Sequence, residues 1–138
     1  MIGLDTNVLA RYYIEDETDD ESLKQREAAK RLIESSESLM VCKTVILELE
    51  WVMRGYYRFK HHEIAAVLHH LISLQNIHIE DRGMIENALS NYANGFDFAD
   101  ALHHAAYAEC DSMASFDDRK FSKRAKRLGL KPRVFVPD

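Results

Sequence analysis

Four acids, Asp5, Glu48, Asp100 and Asp117, stand where a carboxylate is either costly to keep or well placed to work. Asp5 closes the short apolar run Met1-Ile2-Gly3-Leu4, which has room for a single strand. An acid there falls at the carboxyl end of the strand, where open α/β sheets place their ligand sites. The same position suits a helix cap, with Asn7 as a second candidate cap. Asp117 follows the run Ser112-Met113-Ala114-Ser115 and repeats the strand-end pattern, although Asp117-Asp118 would also serve a turn. Carboxylates gathered without a counter-ion repel one another and take up protons. A group of four therefore implies a hard divalent cation, Mg²⁺ or Mn²⁺, with oxygen ligands and bound water. Centres of that kind support phosphodiester hydrolysis.

Glu48 and Glu50 are the only charges in residues 45–53. At about 100° per residue they point about 200° apart on a helix and cannot share a face. Glu50 has Arg54 four residues on, the favourable order for a solvent-side ion pair. Glu48 has Thr44, Val45, Trp51 and Val52 at the neighbouring positions and no such partner. It is costly to bury unless something neutralises it, which marks it as functional. In Asp97-Phe98-Ala99-Asp100, Asp97 reads as a helix N-cap, and Asp100 then lies in the first turn near the positive end of the helix dipole. The histidines occur as His61-His62, His69-His70, His78 and His103-His104. None has a cysteine at finger spacing or the helical pair with Glu that would hold zinc. His103 and His104 follow Asp100 by one turn and could approach the same place.

The elements that must position these residues are short. Strands are expected at 1–4, 39–42, 77–79, 112–115 and 133–136. Helices are expected at about 23–35, from Val45 (capped by Thr44) to Arg54 and Gly55, at 62–74, 83–93 and 98–109, and over the basic stretch 119–128. Four-residue strands alternating with helices imply βα units, a mostly parallel sheet and a three-layer α/β fold in a single domain over 1–138.

With 138 residues the chain can bury one substantial core, and 46% hydrophobic with 30% charged residues is ordinary for a globular protein. No apolar run approaches the ~18 residues of a membrane span, and Asp5 and Arg11 interrupt any signal-peptide core. Two cysteines make no disulfide framework, so a cytoplasmic protein is the simplest expectation. The net charge of −5 is uneven. Residues 15–21 hold six acids and no base, which suits a solvated loop or a helix start. Residues 119–133 hold eight bases and no acid, including Arg119, Lys120 and Lys123. That segment is either a solvated helix face or a phosphate-contacting patch.

The motifs Leu4-Asp5-Thr6-Asn7-Val8-Leu9, Val45-Ile46-Leu47-Glu48-Leu49, Asp97-Phe98-Ala99-Asp100-Ala101-Leu102 and Ser115-Phe116-Asp117-Asp118-Arg119-Lys120-Phe121 together resemble a PIN-domain ribonuclease, most closely the VapC-type toxins of toxin–antitoxin pairs. The resemblance runs from end to end of the chain. It implies an acidic quartet of Asp5, Glu48, Asp100 and Asp117, with Asp5, Asp100 and Asp117 as metal ligands. Asn7 and Ser115 take the family's polar positions near them, and Asp97 is a secondary candidate. It also implies Mg²⁺ or Mn²⁺, an RNA substrate, a homodimer and a small antitoxin partner laid across the site. Asp118 departs from the pattern, since relatives commonly carry a base there. A haloacid-dehalogenase-type phosphatase would need a second Asp where Asn7 stands, and a receiver domain would need an acidic pair near its first strand. A PIN domain acting only as a binding module is the remaining alternative, although all four acids are kept.

Overall fold

A computed structural model describes residues 1–15 and 19–138. Asp16, Glu17 and Thr18 of the acidic run lie outside the described residues. The chain forms two compact units, Met1–Asp81 and Arg82–Asp138.

The first unit is built on a three-stranded parallel sheet in the order β1-β2-β3: β1 (Ile2–Gly3), β2 (Leu39–Val41) and β3 (Ile77–Ile79). Central β2 pairs Leu39 with both Ile2 and Ile77, and Leu39 and Val41 are fully buried. In β3 the alternation Ile77-His78-Ile79 turns both isoleucines inward and the histidine outward, as expected of a half-buried strand. Helices α1 (Thr6–Tyr13) and α2 (Asp20–Ile33) join β1 to β2, and α3 (Lys43–Trp51) and α4 (His61–Ser73) join β2 to β3. Leu9, Ile33, Ile46, Leu49, Met53, Ile64, Leu68 and Leu71 are the buried stripes of these helices. Asp19 accepts from the Ser22 N–H and caps α2, with Asp20 and Glu21 in its first turn. That part of the acidic run is thus a helix start.

Two boundaries in this unit differ from expectation. Helix α3 is capped at Cys42 rather than Thr44. It also does not stop at Gly55, but widens into a π turn at Val52–Tyr56. Gly55 lacks the positive φ of a capping glycine, and Tyr57 N–H bonds instead to the Val52 carbonyl five residues back.

The second unit packs α5 (Arg82–Ala93) on α6 (Phe98–Ala106) and pairs β4 (Ser112–Ala114) in parallel with β5 (Arg133–Phe135). Its core is aromatic. Phe98 meets Tyr92 edge-on at 5.4 Å, and Phe121 meets Phe96 at 5.8 Å and His104 at 6.1 Å. The basic stretch is a π turn, Asp118–Ser122, followed by the single turn α7 (Lys123–Arg127), not one continuous helix. Gly129 ends α7 with φ 64°, which lets the Leu130 N–H reach the Ala125 carbonyl. His104 is buried and donates from Nε2 to the Pro132 carbonyl at 2.7 Å, tying α6 to the approach to β5. No helix among the described residues is long and apolar enough to cross a membrane.

Candidate active site

In the first unit the chemistry gathers at the carboxyl edge of the sheet. Leu4 makes the last ladder bond of β1, from its N–H to the Met40 carbonyl. Asp5 follows at once and is exposed, with Oδ1 accepting the Thr6 N–H at 2.8 Å. The capping role therefore occupies one oxygen, and the second has no hydrogen bond among the described residues. Asn7 is the second residue of α1 and lines a groove of about 540 Å³, whose walls include Arg11, Gln25, Ala29 and Tyr57.

Glu48 and Glu50 lie on opposite faces of α3, as their spacing requires, but the faces are exchanged. Glu48 is exposed, so the cost of burying an unpaired acid does not apply to it. Glu50 is 1% exposed and forms the ion pair with Arg54 at 2.9 Å, a pair that is buried at its acidic end rather than solvent-side. Ile46 and Leu49 outweigh the charge: the stripe Ile46-Leu49-Met53 must face inward, and Glu50 goes with it.

The same edge carries residues that the motifs did not single out. Glu80 and Asp81 follow β3 directly. Glu80 Oε1 accepts the Lys43 N–H at 2.9 Å, and Lys43 Nζ reaches Asp81 at 2.7 Å. Asp81 draws the Lys43 ammonium above its ordinary pKa. The Thr44 hydroxyl, then the Val45 N–H, draw the Cys42 thiol down, against burial and the charge of Glu80. An acid just past an apolar strand is the pattern that exposed Asp5, and it applies equally to Glu80.

In the second unit three acids come together. Asp97 caps α6 as its position predicts, accepting the Asp100 N–H at 3.2 Å. Asp117 lies past β4 and its Oδ1 accepts the Lys120 N–H at 3.0 Å, while its own N–H donates to Ser115 Oγ at 3.1 Å. Ser115 thus holds the loop that carries Asp117. Asp100 is half-buried between them. Burial, then the charges of Asp97 and Asp117, push its carboxyl above the ordinary carboxylate range, and His103 pulls the other way. His103 is therefore the histidine within reach of the acids, and His104 is committed to the core. Arg119, Lys120 and Lys123 are exposed, and Lys123 pairs with Asp118 at 3.3 Å.

The donors around Asp100 are hard oxygens of like charge, a set that suits Mg²⁺ or Mn²⁺ and gains by accepting one. Among the described residues no group of three or more His, Cys, Asp or Glu is arranged so that it could hold a metal ion. Burial and the charges of Asp97 and Asp117 both disfavour the ionised Asp100, the form that a cation would favour.

Among curated proteins, none matches the chain. The family model of the PIN domain matches residues 2–127, a span that contains Asp5, Glu48, Asp97, Asp100 and Asp117. The chain therefore belongs to the PIN-domain family, has its α/β fold, and falls among proteins that are generally nucleases.

Proposed function

We propose that the protein is a Mg²⁺- or Mn²⁺-dependent endoribonuclease and the toxin of a toxin–antitoxin pair. The observation that carries the metal reading is the PIN-domain match over residues 2–127, which takes in Asp5, Glu48, Asp100 and Asp117; the neighbouring acids Asp97 and Asp117 around half-buried Asp100 support it. Asp100 and Asp117 would hold the ion, and the family pattern adds Asp5 as a ligand and Glu48 as the acid that orients water. When bound, the cation would make its water more acidic and offset the charge of the phosphate. Asp97 fixes the first turn of α6, and with it the backbone of Asp100. Ser115 fixes the backbone of Asp117. Arg119, Lys120 and Lys123 would position the flanking phosphates without reading sequence. A cytoplasmic homodimer held in check by a small antitoxin completes the reading, which rests for those parts on the likeness to VapC-type toxins.

The direct test is incubation of purified protein with RNA and Mn²⁺ beside an Asp5→Asn control. Cleavage by the wild type alone is expected. Equal cleavage by both proteins sinks the assignment of the acids, and RNA binding without cleavage makes the chain a binding module. For the basic segment, Lys120→Glu with Lys123→Glu should weaken RNA binding and leave metal affinity intact. The slope of log affinity against log salt should become shallower by about 0.7 for each phosphate that is no longer neutralised. Asp118→Ala should do the reverse, because it releases Lys123 from its ion pair. Unchanged affinity in both variants would return the segment to a merely solvated face.

A further inference from the structure

The turn that follows α3 has a composition that the acidic residues do not explain. Residues 51–62 read Trp-Val-Met-Arg-Gly-Tyr-Tyr-Arg-Phe-Lys-His-His: four aromatic rings interleaved with three bases and two histidines, and no acid. The π turn Val52–Tyr56 keeps Met53 in the core, while its Tyr56, and Trp51 at the end of α3, face outward. Trp51 is 58% and Tyr56 74% exposed, among the most open large side chains of the molecule. The Trp51 indole lies beside Gly55, where a Cβ would only just touch it, at 3.8 Å. Tyr56 meets Tyr57 edge-on at 4.8 Å, and Tyr57 meets Phe59 at 6.5 Å, so the rings form a connected row. Arg58 sits within that row in the left-handed region, φ 57°, a conformation that a non-glycine residue seldom adopts and that concentrates at functional sites. Arg58 and Lys60 are exposed, and neither side chain meets a carboxylate among the described residues. Tyr57 is also a wall of the groove that contains Asn7 and Arg11, so the row leads toward the helix that begins after Asp5.

We infer that residues 51–60 form a platform on which unpaired bases of single-stranded RNA stack while Arg58 and Lys60 meet its phosphates. This rests on the ribonuclease reading and extends it by naming where the strand lies beyond the scissile bond. Aromatic faces accept any base, and cations between them track the backbone, which is how single strands are held without sequence preference. Unpaired bases are available to such rings, whereas the bases of an RNA duplex are stacked on one another. A second copy of this chain fits the face poorly. A two-fold contact through this face would gather the Arg58 and Lys60 of both copies in one interface, four cations in a stretch that offers no acid of its own. An apolar protein surface would leave both cations unanswered.

Trp51 is the single tryptophan of the chain, so its emission reports on this face alone. The experiment titrates wild-type protein in EDTA with a fluorescein-labelled 12-nucleotide single strand of mixed sequence and follows RNA anisotropy and Trp51 emission together. Saturable quenching of Trp51 that tracks the anisotropy is expected, with little from a blunt RNA duplex at equal phosphate. Tyr56→Ala should weaken the single strand about fivefold or more, Tyr56→Phe should restore it, and Arg58→Glu should weaken it and flatten the salt dependence. RNA binding that leaves Trp51 emission unchanged, with Tyr56→Ala binding like the wild type, overturns the platform and leaves the ribonuclease reading standing. A change in sedimentation of Tyr56→Ala with unaltered RNA affinity makes the face an interface between copies and also overturns it. Absence of any RNA binding or Mn²⁺-dependent cleavage removes both readings. The quenching arm needs no variant, so a misfolded substitution does not shield the proposal.

Discussion

In EDTA at pH 7.5, Asp100→Asn should melt at a higher temperature than the wild type, yet lose about 100-fold in Mn²⁺-dependent RNA cleavage, the loss that the ligand role proposed for Asp100 requires. Burial is the first cause, and the charges of Asp97 and Asp117 follow. Together they raise the folded-state pKa of Asp100 above its unfolded value, so the folded protein holds that proton more tightly. The stability this gives is fully present below the unfolded pKa, and is lost as pH rises through the raised folded pKa. Above that point the ionised carboxylate is a liability that the neutral amide does not share. The advantage of the Asn variant in EDTA should therefore be largest near neutral pH and should vanish below the ordinary carboxylate range of about 4. Mn²⁺ should reverse the order. A ligand at 100 times its Kd adds about 2.7 kcal/mol to the state that binds it, and only the wild type keeps all the proposed ligands. Thermal melts of both proteins at pH 4 and 7.5, with EDTA or Mn²⁺, check each step. A variant less stable than the wild type in EDTA at pH 7.5, or an equal gain from Mn²⁺ in both, would refute the role given to Asp100.

Where local chemistry and periodicity pointed the same way, the residues announced their structure. The alternation in Ile77-His78-Ile79, the cap at Asp97 and the acid just past β1 all follow from short-range rules. Helix α1 is less legible, because Thr6-Asn7-Val8 is poor helix-forming sequence and the helix exists by packing on α2 and α3. The face of α3 illustrates a different limit. Spacing alone separates Glu48 from Glu50 by half a turn, but which of them is buried depends on what the rest of the unit brings against the helix. The apolar stripe through Ile46, Leu49 and Met53 decided it for Glu50. The π turn at Val52–Tyr56 has no composition rule that a single sequence reveals, and it is the feature that exposes Tyr56. The candidate ligands were thus identified by residue type and order, while the environment of Asp100 and the aromatic row depend on the folded backbone.

Arg54→Ala should destabilise the protein by about 2–3 kcal/mol, lowering its melting temperature by roughly 10 °C. Arg54 donates from Nε to Glu50 Oε2 at 2.9 Å and from Nη2 to Oε1 at 3.5 Å, a forked arrangement that a planar guanidinium makes best. The two ends of the pair differ sharply in environment: the Glu50 side chain is 2% exposed and that of Arg54 is 50% exposed. Truncation of the exposed partner therefore removes the guanidinium that balances a buried carboxylate, and the cost comes from the weaker compensation of Glu50 more than from the missing hydrogen bonds. The half-open guanidinium lets water approach, which keeps the expected loss at the lower end for a broken buried pair. Arg54→Lys keeps the charge without the fork and should fall between the two. Glu50→Gln in the Arg54→Ala background should recover much of the loss, since a neutral amide has less to lose from desolvation. A double-mutant cycle in urea, followed by the emission of Trp51 on the same turn, gives the coupling directly. If Arg54→Ala alone costs less than about 0.5 kcal/mol, the pair is an ordinary surface ion pair.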